Sequence, residues 1–200
     1  MYEEEDGTLA VKLARASIDR SVKGIPMPEI KVPEKFQNDS GAFVTLNTYP
    51  NLDLRGCIGF PEPYFPLKDA LVKAAESATR DPRFPRLKAS ELDNIVVEVS
   101  LLSPPQRIKV KNPKEYLNIV KIGKHGLIVE QGGFKGLLLP QVPVEWGWDV
   151  EKYLGQTCMK AGLFADAWLD SRTRIYSFEG DVFSEEKPRG TVRRKKLDGA

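Results

Sequence analysis

The chain is short of the residues that usually announce a chemistry. Two cysteines and one histidine in 200 residues, scattered far apart, give neither a disulfide framework nor a recognised zinc-ligand spacing, so no metal site is expected; reduced thiols are the simpler reading of Cys57 and Cys158, and a single Cys57–Cys158 bridge, as a hyperthermophile could carry, is the alternative. No apolar run approaches the roughly 20 residues needed to cross a bilayer. The acidic opening Glu3-Glu4-Glu5-Asp6 lacks the basic-then-apolar order of a secretory signal, and a cytoplasmic location without membrane contact is expected. No Gly-rich loop followed by lysine is there to cradle phosphates, and no cofactor is indicated. A large field of one sign is missing too: the formal charge is +2. The net positive excess sits in residues 185–200, where Lys187, Arg189, Arg193, Arg194, Lys195 and Lys196 outnumber Glu185, Glu186 and Asp198. The body of the chain is then close to neutral, which disfavours nucleic acid as partner. The expected organisation is one domain over residues 1–184 and a charged, flexible tail over 185–200.

What is present is an ordinary globular composition, with 41% hydrophobic and 29% charged residues, enough for a proper core. Thr8 is placed to cap a first helix with Leu9, Leu13 and Ala16 on its apolar stripe, ending at Gly24. Pro26, Pro28 and Pro33 force an extended connector. The runs 42–48 and 54–60, joined by Tyr49-Pro50-Asn51, read as a hairpin. Residues 67–80 have helical spacing, with Leu67, Leu71, Ala74, Ala75 and Ala78 inward, and Asp81-Pro82-Arg83-Phe84-Pro85 ends that helix in a stiff loop. Residues 95–102 alternate as a strand with Glu98 in its middle. A short helix is expected over 113–120, a turn over 122–126, a hairpin from 127–130 through Gln131-Gly132-Gly133 to 134–139, and a helix capped by Asp149 running to about Lys160. A last strand is expected over 172–183.

The stretch with most chemical promise is Leu54-Arg55-Gly56-Cys57-Ile58-Gly59. Neighbours on a strand face opposite ways, which puts Arg55 and Cys57 on one side. A guanidinium beside a thiol lowers the thiol pKa and also suits an anion. Cys57 is therefore a candidate nucleophile, although a free cysteine is as readily a small buried hydrophobe. Gly56 and Gly59 allow close approach either of a ligand or of a packed helix. His125, the lone histidine, is the candidate base, against the reading of a surface or turn-capping residue. Glu98 is the other candidate base, against that of a solvated strand carboxylate. Asp81 and Arg83 either grip a charged ligand or simply pair with each other. Gln141, Trp146 and Trp148 either line a pocket or fill a junction.

Taken together, Leu54–Gly59, Asp81-Pro82-Arg83-Phe84, Lys121-Ile122-Gly123-Lys124-His125-Gly126, Leu137-Leu138-Leu139-Pro140-Gln141-Val142 and Trp146-Gly147-Trp148 resemble the AMMECR family, in its stand-alone archaeal form, from about Leu9 to Phe183. The resemblance implies an α+β fold, mainly an antiparallel sheet with flanking helices, made of two subdomains separated by a cleft that the hexapeptide lines. The resemblance also implies relatives fused to, or encoded beside, a Memo-like module and a radical-SAM protein, which makes a Memo-like protein a candidate partner. The family's activity is not established.

Two functions follow from this reading. One is a small enzyme in which Arg55 and Arg83 bind an anionic small molecule or a peptide end while Cys57, with His125 or Glu98 as base, performs acyl or group transfer or hydrolysis. The other is a non-enzymatic adaptor or ligand-binding module that holds a small molecule or a protein segment in the same place.

Overall fold

The computed structural model describes residues 2–195. They divide into two compact units: residues 2–102 with 181–195, and residues 103–180. The fold class is α+β, and every described strand pair is antiparallel. No helix among the described residues is long and apolar enough to cross a membrane.

In the first unit, β1 (Ala42–Thr48) lies between β2 (Leu54–Phe60) and β3 (Ile95–Leu102). The strong alternation of β1 and β3 turns Val44, Leu46, Val97 and Val99 onto one face, where they meet α1 (Glu4–Lys23) and α2 (Leu67–Ala78). This is the core that the spacing in 67–80 predicts, with Leu67, Leu71, Ala74, Ala75 and Ala78 all buried. The first helix starts earlier than Thr8. Three carboxylates, Glu4, Glu5 and Asp6, occupy its first turn, where the helix dipole favours them, and Asp6 accepts the Glu3 N–H at 2.8 Å. Thr8 instead donates inside the helix, to Glu4 O. The buried stripe is correspondingly Ala10, Leu13, Ala14 and Ile18 rather than one through Ala16. Gly24 ends the helix in the left-handed region at φ 68°, as its position suggested.

In the second unit, β5 (His125–Gln131) and β6 (Phe134–Leu138) form the expected hairpin, with Gly132 and Gly133 both at positive φ as a tight reversal requires. The strand begins at His125, where the sequence suggested a turn. A short 3₁₀ turn leads into α3 (Tyr116–Ile119). After α4 (Gln141–Glu145), Asp149 caps α5 (Val150–Lys160) by accepting the Lys152 N–H at 2.8 Å. Gly136 lets α5 close on β6, since a Cβ there would lie 2.3 Å from Ala161 N. Tyr153 is fully buried in this core, and its hydroxyl reaches the carbonyls of His125 and Leu138, both at 3.1 Å.

The strand β7 (Arg174–Glu185) pairs with β5 and with the two-residue β4 (Gln106–Arg107) through its first part, and with β8 (Val192–Lys195) through its last. Residues 185–195, read from sequence as a loose charged tail, are thus a turn and a paired strand; residues 196–200 lie outside the described ones. The cause is Glu185. Its carboxylate is buried and forms a two-pronged ion pair with Arg15 of α1, Nε to Oε1 at 3.0 Å and Nη2 to Oε2, and it accepts the Val97 N–H at 3.0 Å. Arg15 also donates to Leu92 O and Ile95 O. One carboxylate therefore ties α1, the approach to β3, and β7 together.

Removing one partner leaves the other charge buried, which costs about 3–5 kcal/mol. Glu185→Ala is expected to lose that much in chemical denaturation, whereas the paired replacement Arg15→Met with Glu185→Leu recovers most of it. Equal losses for the single and double variants would show that the ion pair is not what holds these segments.

Candidate functional site

The neighbourhood of Cys57 is built from the edge of the first unit's sheet. Thr45 of β1 stands between Cys57 of β2 and Glu98 of β3, so the three form a cross-strand row on the face away from the helices. The Cys57 N–H and C=O do not bond to β1. Asp81 Oδ2 accepts the N–H at 2.9 Å, and Arg83 Nη2 donates to the carbonyl at 3.2 Å. Cys57 and Thr45 are therefore a non-hydrogen-bonded pair, the kind whose side chains approach most closely. The Thr45 hydroxyl duly donates to Cys57 Sγ at 3.2 Å.

The clamp on β2 comes from the stiff loop after α2. Asp81 is 1% exposed at its side chain. It accepts four hydrogen bonds: from Cys57 N, from Arg83 N at 3.1 Å, from Arg83 Nε at 3.0 Å and from Arg83 Nη2 at 2.7 Å. The Arg83 guanidinium holds the Asp81 carboxyl far below the usual carboxylate range, with the two backbone N–H groups helping. Asp81 and Arg83 pair with each other, and together they satisfy the free edge of β2 at Cys57.

Arg55 is committed as well. It sits at a bulge, where the register with β1 passes from Gly56 directly to Leu54, and its guanidinium forms a two-pronged pair with Glu91, at 2.8 and 3.2 Å. Arg55 is not among the groups that chiefly set the state of the thiol. Burial pushes the Cys57 thiol up; Thr45 and Arg83 pull the other way, while Glu98 and Asp81 add to the rise. Gly56 and Gly59 are accounted for by packing. A Cβ on Gly56 would lie 2.5 Å from Ala78 O at the end of α2, and one on Gly59 would strike the Phe43 ring at 2.3 Å. Glu98 is not on a solvated face: its side chain is 13% exposed and Lys195 Nζ stands 2.5 Å from Oε2, within ion-pair reach though outside hydrogen-bond geometry.

The other candidates belong to the second unit. His125 Nδ1 accepts the Lys121 N–H at 3.2 Å, which places the ring proton of the neutral form on Nε2, and burial lowers its pKa. Gln141 opens α4 and is half-buried. Trp146 is 70% exposed and stacks on Trp148 at 6.2 Å between ring centroids, with Gly147 between them at positive φ. Among the described residues no three His, Cys, Asp or Glu side chains gather as a metal-binding group. The residues that sequence reasoning missed are Thr45, Glu91 and Lys195. Only Thr45 left a usable trace, since extending the hairpin outward from its turn sets it opposite Cys57.

With this geometry in place, the comparisons agree on kinship. The AMMECR1 family model matches residues 11–183, and the chain belongs to that family. It is 56% identical over 194 residues to Protein MJ0810 of Methanocaldococcus jannaschii, covering 96% of each chain. It is 51% identical over 201 residues to Protein PH0010 of Pyrococcus horikoshii, covering 97% of each. The crystal structure of that uncharacterized protein PH0010 matches with a TM-score of 0.87 over 97% of this chain and 98% of the other. Each is archaeal, and the near-complete coverage of both chains makes them similar in length to this one.

Asp81 gives a signed pH prediction. Its folded pKa is lowered, so its stabilisation is complete above the unfolded value of about 4 and is lost as pH falls toward the folded pKa. Asp81→Asn is expected to cost about 2 kcal/mol at neutral pH, the cost of breaking a buried charge-assisted network. The gap from wild type, followed by thermal unfolding, should stay constant down to about pH 5 and narrow below about pH 4. A gap independent of pH throughout would contradict this assignment.

Proposed function

We propose that this protein is a ligand-binding module whose recognition surface is the Thr45–Cys57–Glu98 face together with Arg83, and that it holds a polar small molecule or a protein segment without covalent chemistry at Cys57. The observation that carries this reading is the clamp: the guanidiniums able to ionise the thiol are bound to carboxylates, Arg55 to Glu91 and Arg83 to Asp81, and burial keeps the thiol protonated near neutrality. A protonated thiol is a poor nucleophile and a serviceable contact for an apolar or weakly polar group. Arg83 remains 56% exposed at its side chain. Nε and Nη2 are engaged with Asp81 and the Cys57 carbonyl, and Nη1, which has no hydrogen bond among the described residues, would meet a carbonyl or carboxylate oxygen of the ligand. The Memo-like protein suggested by the family resemblance is the first partner to try.

The enzyme reading keeps one point in its favour, that Cys57 and Glu98 flank the same threonine hydroxyl. It requires Cys57 to ionise near neutral pH. Alkylation by iodoacetamide, followed by peptide mass mapping to separate Cys57 from Cys158, measures this directly. The expected pH midpoint for Cys57 lies above the value of about 8.5 for a free cysteine. Cys57→Ser should bind the Memo-like protein as wild type does, and Arg83→Ala should weaken that binding about tenfold, the scale of one charge-assisted contact. A Cys57 midpoint below about 7 would replace the binding module with a thiol enzyme.

A further inference from the structure

We infer that the hollow beside α5 is a docking groove for a partner-protein segment that carries basic and aliphatic side chains. The inference is independent of the Cys57 surface and concerns the second unit alone. The hollow has a volume of about 430 Å³. One wall is the outer face of α5, where Lys152, Gln156 and Met159 follow at helical spacing, and the other is the segment after the helix, with Ala165, Asp166 and Leu169. Trp168, 4% exposed, forms the floor. Gly155 sets the separation of the walls, since a Cβ there would lie 3.2 Å from Ala165 O. The opposite side of α5, with Tyr153, Leu154 and Cys158, is core, so the groove is a second and separate use of the same helix.

Two observations specify the occupant. The first is apolar surface left open: Met159 is 54% exposed and Leu169 45%, and the neighbouring Phe164 is 87% exposed. Large apolar side chains gathered on one stretch of a surface mark an interaction site. The groove is also too open to enclose a small molecule, which a good pocket covers on most sides, and it suits a chain lying along it. The second is charge. Asp149, Glu151 and Asp166 rim the groove against the single ammonium of Lys152. Among the described residues Glu151 and Asp166 enter no ion pair or side-chain hydrogen bond. Such a rim attracts lysine and arginine and repels acidic segments. The basic strand β8 of this chain does not supply such a segment, because its residues are already paired, Arg193 with Glu186, Arg194 with Asp181 and Lys195 with Glu98.

The test uses the full chain and three fluorescein-labelled peptides of ~12 residues, the length of a typical groove-bound segment, read by fluorescence anisotropy. One alternates lysine and leucine, one glutamate and leucine, one lysine and serine. The lysine–leucine peptide is expected to bind at least about tenfold tighter than either of the others and to weaken as salt is raised. Asp166→Lys and Leu169→Glu should each weaken it about tenfold, and the distant Glu34→Lys should not. Leu169→Ser serves in place of Leu169→Glu if thermal melting shows that variant unfolded. Equal binding of the lysine–serine peptide, displacement of the lysine–leucine peptide by spermidine, or indifference to both groove substitutions would each overturn the proposal.

Discussion

The buried carboxylate of Asp81 is the constraint on which the candidate site rests. A carboxylate with its side chain 1% exposed is costly unless its oxygens are filled by donors, and here four donors fill them. Three come from Arg83, two residues away, so the loop closes on itself before it touches the sheet. The fourth is the Cys57 N–H. An edge strand normally leaves such groups open for another strand to pair with; here side chains of a proline-bracketed loop take that place. The consequence reaches the thiol: once the backbone of Cys57 is held outward, its side chain must meet Thr45, and its protonation state follows from that burial rather than from a neighbouring cation.

The same logic recurs elsewhere with different groups. Glu185 accepts from Arg15 and from Val97 N, knitting together segments far apart in sequence by a buried ion pair. In the second unit the corresponding element is neutral: the Tyr153 hydroxyl reaches the carbonyls that begin β5 and end β6, and burial pushes its phenol far above the ordinary range. Buried polar groups of this sort fix register as much as they stabilise, because each is satisfied in only one arrangement of the chain.

How much of this was written in the sequence depends on whether the signal is local. Gly24, the hairpin turn at Gly132-Gly133, the Asp149 cap and the apolar face of α2 follow from a few neighbouring residues, and they stand where they were expected. The partners of charged groups did not, because an ion pair depends on which segments the fold brings together. Arg55 finds Glu91 and Glu185 finds Arg15 across separations of 36 and 170 residues. The bulge at Arg55 has no sequence mark and undid the simple alternation that set its guanidinium beside the thiol. The segment after Glu185 looked like a solvated tail because its charges outnumber its apolar residues, yet Arg194 and Lys195 pair with carboxylates of α1, β3 and β7 as β8 forms.

A distinction between committed and uncommitted charge then separates structure from contact. Around Cys57 the ionic groups face one another: Arg55 and Glu91, Arg83 and Asp81, Lys195 and Glu98. Such a surface has little net field, and whatever it binds must be recognised by shape and by a few directed hydrogen bonds. Around α5 the opposite holds: among the described residues Glu151 and Asp166 enter no ion pair, and they stand beside half-exposed methionine and leucine. Fields of one sign next to open apolar surface speed encounter and select partners by charge, while the apolar part supplies the affinity. The two surfaces are therefore suited to different ligands, a polar one held in place by Arg83 and a basic, aliphatic chain drawn to α5, so loss of binding at one surface carries no implication for the other.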